Sequence, residues 1–503
     1  MRQRETNHSL GRVESALLLL GVLLVAIGFR TVGLDWDEGT HLHPDERFLT
    51  MVVGNIESPG GLALYLDTDH SPLNPYNRGY GNFFYGTLPI FVVRYVGEWA
   101  DRACAEDPSP LARMAVRLLP GADGECMPGT YTGYGGVYLV GRLLSTLADV
   151  GSLVVLFFIG RRLYGPIVGL LAVTLGALAV LPIQQSHFFT VDTFAQFFVV
   201  VALYFTIRAS QTGGWGAFAL AGLASGLSAT CKMSTWPSAL VVGLAGLVWW
   251  SRGATEQSSS GTGEGTSLRT SDVRRWPLAM GHWSLLLRLS LAAVLFLLAF
   301  RLAQPYAFQG PGLFGVRLNS QWLGDMGFIR RLMSGEVDSP PGHQWTDRTP
   351  IVFPWLNMVV WGLGIPLGVA AWAGWALVGV ELLRGRRVHL LPWAWGTGFF
   401  LYQATQWVKS MRYLLPVYTV FILFAAYGLW RLIDWASGQL KSRSSSDLGG
   451  RHRSTIIGHW TLVIDPASLP CWYSLLPGFS PGPAVRVPGP RPLWGASQLP
   501  VAR

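Results

Sequence analysis

Residues 137–160 read VYLVGRLLSTLADVGSLVVLFFIG, a nearly unbroken apolar run. It is long enough to cross the roughly 30 Å hydrocarbon core of a bilayer, which takes about 20 helical residues. Comparable runs lie on both sides of it, at 13–30, 166–186, 193–208, 215–231, 236–250, 283–303, 351–383, 389–406 and 413–433. The 351–383 run exceeds one straight span, so it is expected to tilt or to begin as an interfacial segment around Pro354 and Trp355. The pattern predicts an all-α fold, a polytopic transmembrane helical bundle of about ten spans with juxtamembrane helices in its first outer loop.

Composition agrees. Only 13% of the 503 residues are charged and 50% are hydrophobic, whereas soluble domains carry about 25% charged residues. The 22 Trp fit a chain with two membrane interfaces, where indoles concentrate. The formal charge of +9 is spread among short loops rather than gathered on one face, which suits membrane orientation and not nucleic acid. The start of the chain, with Arg2 and Arg4 before an apolar run, reads as an uncleaved first helix.

Placing the N-terminus in the cytoplasm puts Arg161–Arg162, Arg208, the linker 251–282 and Arg384, Arg386 and Arg387 on the same side, as the positive-inside rule requires. The loops 31–136, 187–192 and 304–350 then face out, with Lys232, Lys409 and Arg412. That count holds only if residues 83–99, FFYGTLPIFVVRYVGEW, lie on the outer leaflet instead of crossing it; Arg94 and Glu98 in its second half favour this. The Ser/Gly/Thr-rich stretch 254–272 reads as a flexible connector. Residues 1–435 form the membrane domain, and 436–503 read as a disordered cytoplasmic tail, for which a shifted reading frame or a truncated gene end would account. Cys104 and Cys126 share the first loop, where they either pair or remain thiols, while Cys231 and Cys471 receive no role.

The chemistry-bearing residues collect in the outer loops. DWDEGTHLHPDER (35–47) brings Asp37, Glu38, His43, Asp45 and Glu46 just beyond the first span. Clustered carboxylates of this kind serve as a general base or accept a divalent metal, which is compatible here but not required; the plainer reading is a solvated acidic loop. Asp192, in SHFFTVDTFAQFF (186–198), stands at the mouth of a span. An ionisable group there is costly unless it serves a site, although an N-cap is the alternative. Lys232, Lys409 and Arg412 sit at outer helix ends, suited to a phosphate or simply to snorkelling. A lipid-phosphate sugar donor needs cations for its leaving group and a carboxylate for the attacking hydroxyl. Neither a glycine-rich phosphate loop nor a serine nucleophile elbow is present.

In order along the chain, HPDERFLTMV (43–52), GRLLSTLADVGSLVVLFFIGRRLYG (141–165), the Asp of FFTVDTFAQFF (188–198), Lys232, and KSMRYLLPVY (409–418) resemble the GT-C membrane glycosyltransferases. Within these the stretch is most similar to the protein O-mannosyltransferase and aminoarabinose-transferase group, glycosyltransferase family 39-like. The resemblance covers about residues 13–435. It implies a sugar transferase in the cell membrane, its active site on the extracytoplasmic face. Sugar would pass from a polyprenyl-phosphate donor to a hydroxyl of a lipid, glycan or protein, by an inverting mechanism.

By that resemblance Asp45 is the catalytic base, Glu46 orients or contacts the acceptor, and Asp192 lies near the donor. Lys232, Lys409 and Arg412 bind the phosphate, and Tyr413 lines the lipid groove. The pair Asp37–Glu38 eight residues upstream makes the base ambiguous, and His43 is a secondary candidate. Two other readings fit the class of molecule: a transporter or lipid translocase using Asp192 and the outer cations, and a truncated, non-catalytic member of the same family.

Overall fold

The structure is a computed structural model that describes residues 11–105, 129–259 and 278–447. The chain divides into a compact unit, Met1–Leu440, and a second, Lys441–Arg503; the architecture below is that of the first. Among the described residues it is helical, with one isolated bridge between Phe308 and Leu318. Counting helices of seven residues or more, α1 is Arg12–Thr31, α2 Pro44–Asn55, α3 Thr87–Ala105, α4 Val137–Tyr164, α5 Pro166–Ala177, α6 Val180–Ser186 and α7 Val191–Thr212. They continue with α8 Trp215–Cys231, α9 Ser238–Ser259, α10 Leu278–Ala303, α11 Ser320–Ser334, α12 Ile365–Leu383, α13 Leu390–Ala404 and α14 Leu415–Asp447. The polytopic helical bundle expected from the apolar runs is what the chain forms.

Local chemistry sets the boundaries. Helix α4 stops at Gly165, whose φ of +98° suits glycine, and Pro166 then opens α5 at a position where no amide hydrogen is needed. The post of the bundle is the first half of α14, where residues 414–427 are all buried. Its approach segment, Met411–Leu414, is a single 3-10 turn that carries Arg412 and Tyr413. Helix α8 packs on α7 and α10, and its Gly222 and Gly226 lie against the backbone of Ala292 and Phe296 in α10. Small residues four apart let two helix backbones approach closely, which is how helices gain packing in lipid.

Among the described residues, seven helices are long and apolar enough to cross a membrane, or eight if α5 and α6 form one broken span. The 166–186 run bends by 61° between Ala177 and Val180. That break frees backbone carbonyls, which lipid cannot satisfy, and Arg30 of α1 supplies the donors: Nη1 reaches Ala177 O at 3.1 Å and Nη2 reaches Gly176 O at 3.2 Å. Arg30 Nε in turn bonds Asp149 of α4 at 2.6 Å, and Gln196 of α7 donates to the other Asp149 oxygen at 2.9 Å. The 351–383 run breaks at Gly364 into a short helix with a π turn, Val352–Gly362, and α12. The 215–231 run forms a shorter apolar helix, α8, and the 389–406 run contributes the 15-residue α13.

Residues 83–99 do not meet the span criterion either; α3 packs against α2, α4 and α8. Its Arg94 bonds Glu98 at 2.7 Å and the Val53 carbonyl at 3.2 Å, so both charges are consumed within the first loop. The flanks of the 251–282 linker are helical, since α9 runs on to Ser259 and α10 starts at Leu278. The centre of that linker, the tail beyond 447 and Cys126 lie outside the described residues.

Replacing Gly222 with Leu drives a side chain into the α10 backbone and should lower unfolding free energy by about 1–3 kcal/mol. Gly216→Leu, at a position with nothing within 4 Å, should not. Thermal unfolding of the purified protein in detergent distinguishes the two.

Candidate active site

Helix α2 starts at His43, whose ring Nδ1 accepts the Glu46 amide hydrogen at 3.3 Å, with Pro44 in the first turn. Asp45 and Glu46 are therefore consecutive residues of one turn and point about 100° apart. That divergence separates their roles. Glu46 turns inward to Arg142 of α4, which grips it through Nε (2.7 Å) and Nη2 (2.8 Å), while the Phe189 amide donates to the same carboxylate at 2.9 Å. Arg142 Nη2 also holds Asp37 at 2.9 Å and Nη1 the Leu34 carbonyl at 2.8 Å. The side chains of Arg142, Asp37 and Glu46 are 0% exposed. Burial acts against ionisation of Asp37, but the Arg142 hydrogen bond and charge outweigh it and hold its carboxyl below the usual range.

Asp45 turns outward to the second cluster. Arg412 ion-pairs with Asp45 and, at 3.2 Å, with Asp192 at the start of α7. Asp192 accepts a second cation, Lys232 Nζ at 2.5 Å, and Lys232 lies 3.7 Å from the centre of the Tyr413 ring. Four segments distant in sequence thus converge on one charged centre. Asp192 is its floor, 1% exposed, while Asp45 and Arg412 are each 20% exposed and form its mouth. Burial lowers the affinity of Lys232 for its proton, and the Asp192 charge works against that.

Tyr85 completes the mouth. Burial, then the neighbouring Asp45 charge, raises its pKa far above the ordinary phenol range. The approach is made possible by Gly86, whose amide donates to the Cys231 carbonyl at 3.2 Å; any side chain there would strike the Thr230 and Cys231 carbonyls beside Lys232. The His43 ring rests 4.6 Å from Phe188, and burial followed by the Arg412 charge lowers its basicity. Among the described residues, no group of three or more His, Cys, Asp and Glu side chains is placed to hold a metal ion.

Asp45, Asp192, Lys232, Arg412 and Tyr413 come together, with His43 at the edge. Glu46 does not face this cluster: Arg142 occupies both of its oxygens. The upstream pair is also outside it. Asp37 is buried on Arg142, and Glu38 is exposed in a turn with φ +51°. Lys409 is buried and donates to the Trp407 carbonyl at 3.0 Å, and no carboxylate among the described residues pairs with it; burial lowers its basicity. Sequence reasoning missed Arg142 and Tyr85. Arg142 was visible as a charge inside an apolar run, which lipid tolerates only with a partner.

The Arg142 grip carries a testable consequence. Arg142→Gln leaves two fully buried carboxylates without their cation and should cost about 3–5 kcal/mol of stability. Arg142→Lys should recover only part, since an ammonium cannot replace a bidentate fork. Unfolding in detergent measures both.

Comparison with known proteins places the middle of the chain. Residues 134–255 match the family model of dolichyl-phosphate-mannose-protein mannosyltransferases, a segment that contains Arg142, Asp149, Asp192 and Lys232. No curated protein matches the sequence. Among solved structures, the apo oligosaccharyltransferase of Archaeoglobus fulgidus is similar at 12% identity and a TM-score of 0.49, over 88% of this chain and 53% of that one. The same organism's oligosaccharyltransferase AglB, in complex with an inhibitory peptide and a dolichol-phosphate, gives 13%, 0.48, 88% and 52%. ArnT from Cupriavidus metallidurans bound to undecaprenyl phosphate gives 14%, 0.41, 87% and 64%. The chain thus spans about half the length of the first of these structures. The match over residues 134–255 bears out the resemblance to the GT-C membrane glycosyltransferases.

Proposed function

We propose that the chain is a membrane glycosyltransferase that moves a sugar from a polyprenyl-phosphate donor to a hydroxyl acceptor on the extracytoplasmic face. The observation that carries the reading is the meeting of two carboxylates with two cations at one partly open mouth: Asp45, Asp192, Arg412 and Lys232. The mannosyltransferase match over 134–255 supports a lipid-phosphate donor.

The chemistry follows from the geometry. The acceptor hydroxyl gives its proton to an Asp45 carboxylate oxygen as its own oxygen attacks the anomeric carbon. The bond from that carbon to the phosphate oxygen breaks on the opposite side, so a single displacement inverts the centre, and polyprenyl phosphate leaves carrying the electron pair. Arg412 and Lys232 stabilise the charge that develops on the phosphate. Tyr85, whose phenol feels the Asp45 charge, is a positioning residue beside the base.

At rest the centre is internally neutralised, because Arg412 occupies Asp45. An incoming phosphate competes for the same guanidinium, and Asp45 is released as a base when Arg412 turns to the donor. Donor binding therefore precedes productive engagement of the acceptor.

Incubating the purified protein with radiolabelled polyprenyl-phosphate hexoses and pentoses tests the reading. Asp45→Asn should lower transfer by about 10²–10⁴-fold, the range of a lost general base. The unfolding midpoint should hold, since Arg412 keeps Asp192 as a partner. Undiminished transfer in that variant contradicts Asp45 as the base.

A further inference from the structure

The charged centre is not the only built site in the described residues. Between the middle of α9, the end of α12 and the start of α13 lies a cavity of about 650 Å³, within the range of small-molecule sites. Leu247, Val248, Trp250 and Ser251 line it from α9, which begins at Ser238, a few residues after Lys232. The rise of a helix therefore places the cavity about 14–20 Å along α9 from that end. Its walls are apolar: Leu247, Trp250, Leu382, Leu383 and Trp393 contribute most of the lining, and Ser251 and Arg387 are the polar exceptions. Leu383 is 90% exposed and Leu247 53% exposed, so the mouth opens outward from the bundle.

A crevice of this kind between spanning helices has hydrocarbon at its side and is not a place for water. What gives it specificity is the charge at its rim. Arg387 lines the cavity, and Arg384 lies one turn before it in the sequence. Neither has a carboxylate partner among the described residues. Glu381 of α12 is engaged elsewhere: it holds Arg386 at 3.0 Å, His389 at 2.8 Å, the Tyr427 hydroxyl at 2.7 Å and Arg431 at 3.6 Å. An exposed guanidinium is thus left without a counter-ion at the edge of an apolar slot. Charge complementarity calls for an anion tethered to a hydrocarbon chain.

We propose that this cavity binds an anionic phospholipid of the bilayer, with an acyl chain between α9, α12 and α13 and the phosphate on Arg387. Basic rims at the ends of membrane helices recognise anionic headgroups in this way. The site is separate from the charged centre around Arg412 and does not depend on the sugar-transfer reading. Its occupant would brace α12 and α13 against α9, at the opposite end of the bundle from the centre.

Native mass spectrometry of the full-length protein in detergent tests this, with phosphatidylglycerol and phosphatidylcholine of identical acyl chains as probes. The wild type should retain phosphatidylglycerol about fivefold over phosphatidylcholine, the factor expected for one cation on an anionic headgroup. Arg387→Gln should bring that ratio to about one without moving the unfolding midpoint, because the Arg387 side chain is exposed. Gly379→Leu, which fills the wall facing Trp393, should reduce retention of both lipids. Equal retention of the two lipids by the wild type, retention of neither, or a preference that survives Arg387→Gln overturns the proposal.

Discussion

A single guanidinium joins the parts of this molecule that matter for chemistry. Arg412 stands at the entrance to the buried half of α14 and reaches two acids that arrive from distant parts of the chain, Asp45 on α2 and Asp192 on α7. Asp192 is almost completely enclosed, and an isolated carboxylate in such a place would be strongly disfavoured. Arg412 and Lys232 approach it from two sides and supply the opposite charge. The pairing joins α7 to the central helix, with Asp45 of α2 at its mouth, and the same charges form the proposed site. Structural and chemical demands therefore fall on the same residues.

A second set of buried charges supports the first. Arg142 ties the 34–46 segment to α4, and Glu46 ties it to the 189 backbone. Asp45 sits one residue from that anchor, so helix geometry turns it away from Arg142 and toward Arg412. Deeper in the bundle, Arg30 closes the carbonyls opened by the bend between α5 and α6 and leans on Asp149. Each of these charges answers a local vacancy in hydrogen bonding, which is the condition under which an ionised side chain persists in a membrane protein.

Much of this was legible in the order of residues. The apolar runs announced a helical membrane bundle because crossing lipid demands length and hydrophobicity, and both can be counted. Asp45, Asp192, Lys232 and Arg412 stood out because ionisable groups at span ends are costly without a purpose. The excess length of the 351–383 run pointed to its irregularity, but the bend near Leu178 was not legible, since hydropathy does not register whether an apolar run stays straight. Glu46 and Asp37 part from Asp45 for a different reason. Adjacent acids look equivalent until a helix turns them apart, and their partner Arg142 lies 96 residues beyond Glu46. Lys409 resembled Arg412 in type and position, but its ammonium folds back onto the Trp407 carbonyl. Tyr85 was hidden among other aromatics, and only its contact with Asp45 distinguishes it.

The central claim is that Arg412 and Asp192 form one energetic unit, and a double-mutant cycle on unfolding free energy tests it most directly. Arg412→Gln, Asp192→Asn and the double variant would be compared with the wild type in the same detergent. The account predicts a coupling of about 1–3 kcal/mol, with the double variant less destabilised than the sum of the two singles, as for residues that share an ion pair. Strictly additive losses would contradict it, because they would mean that the two side chains do not meet.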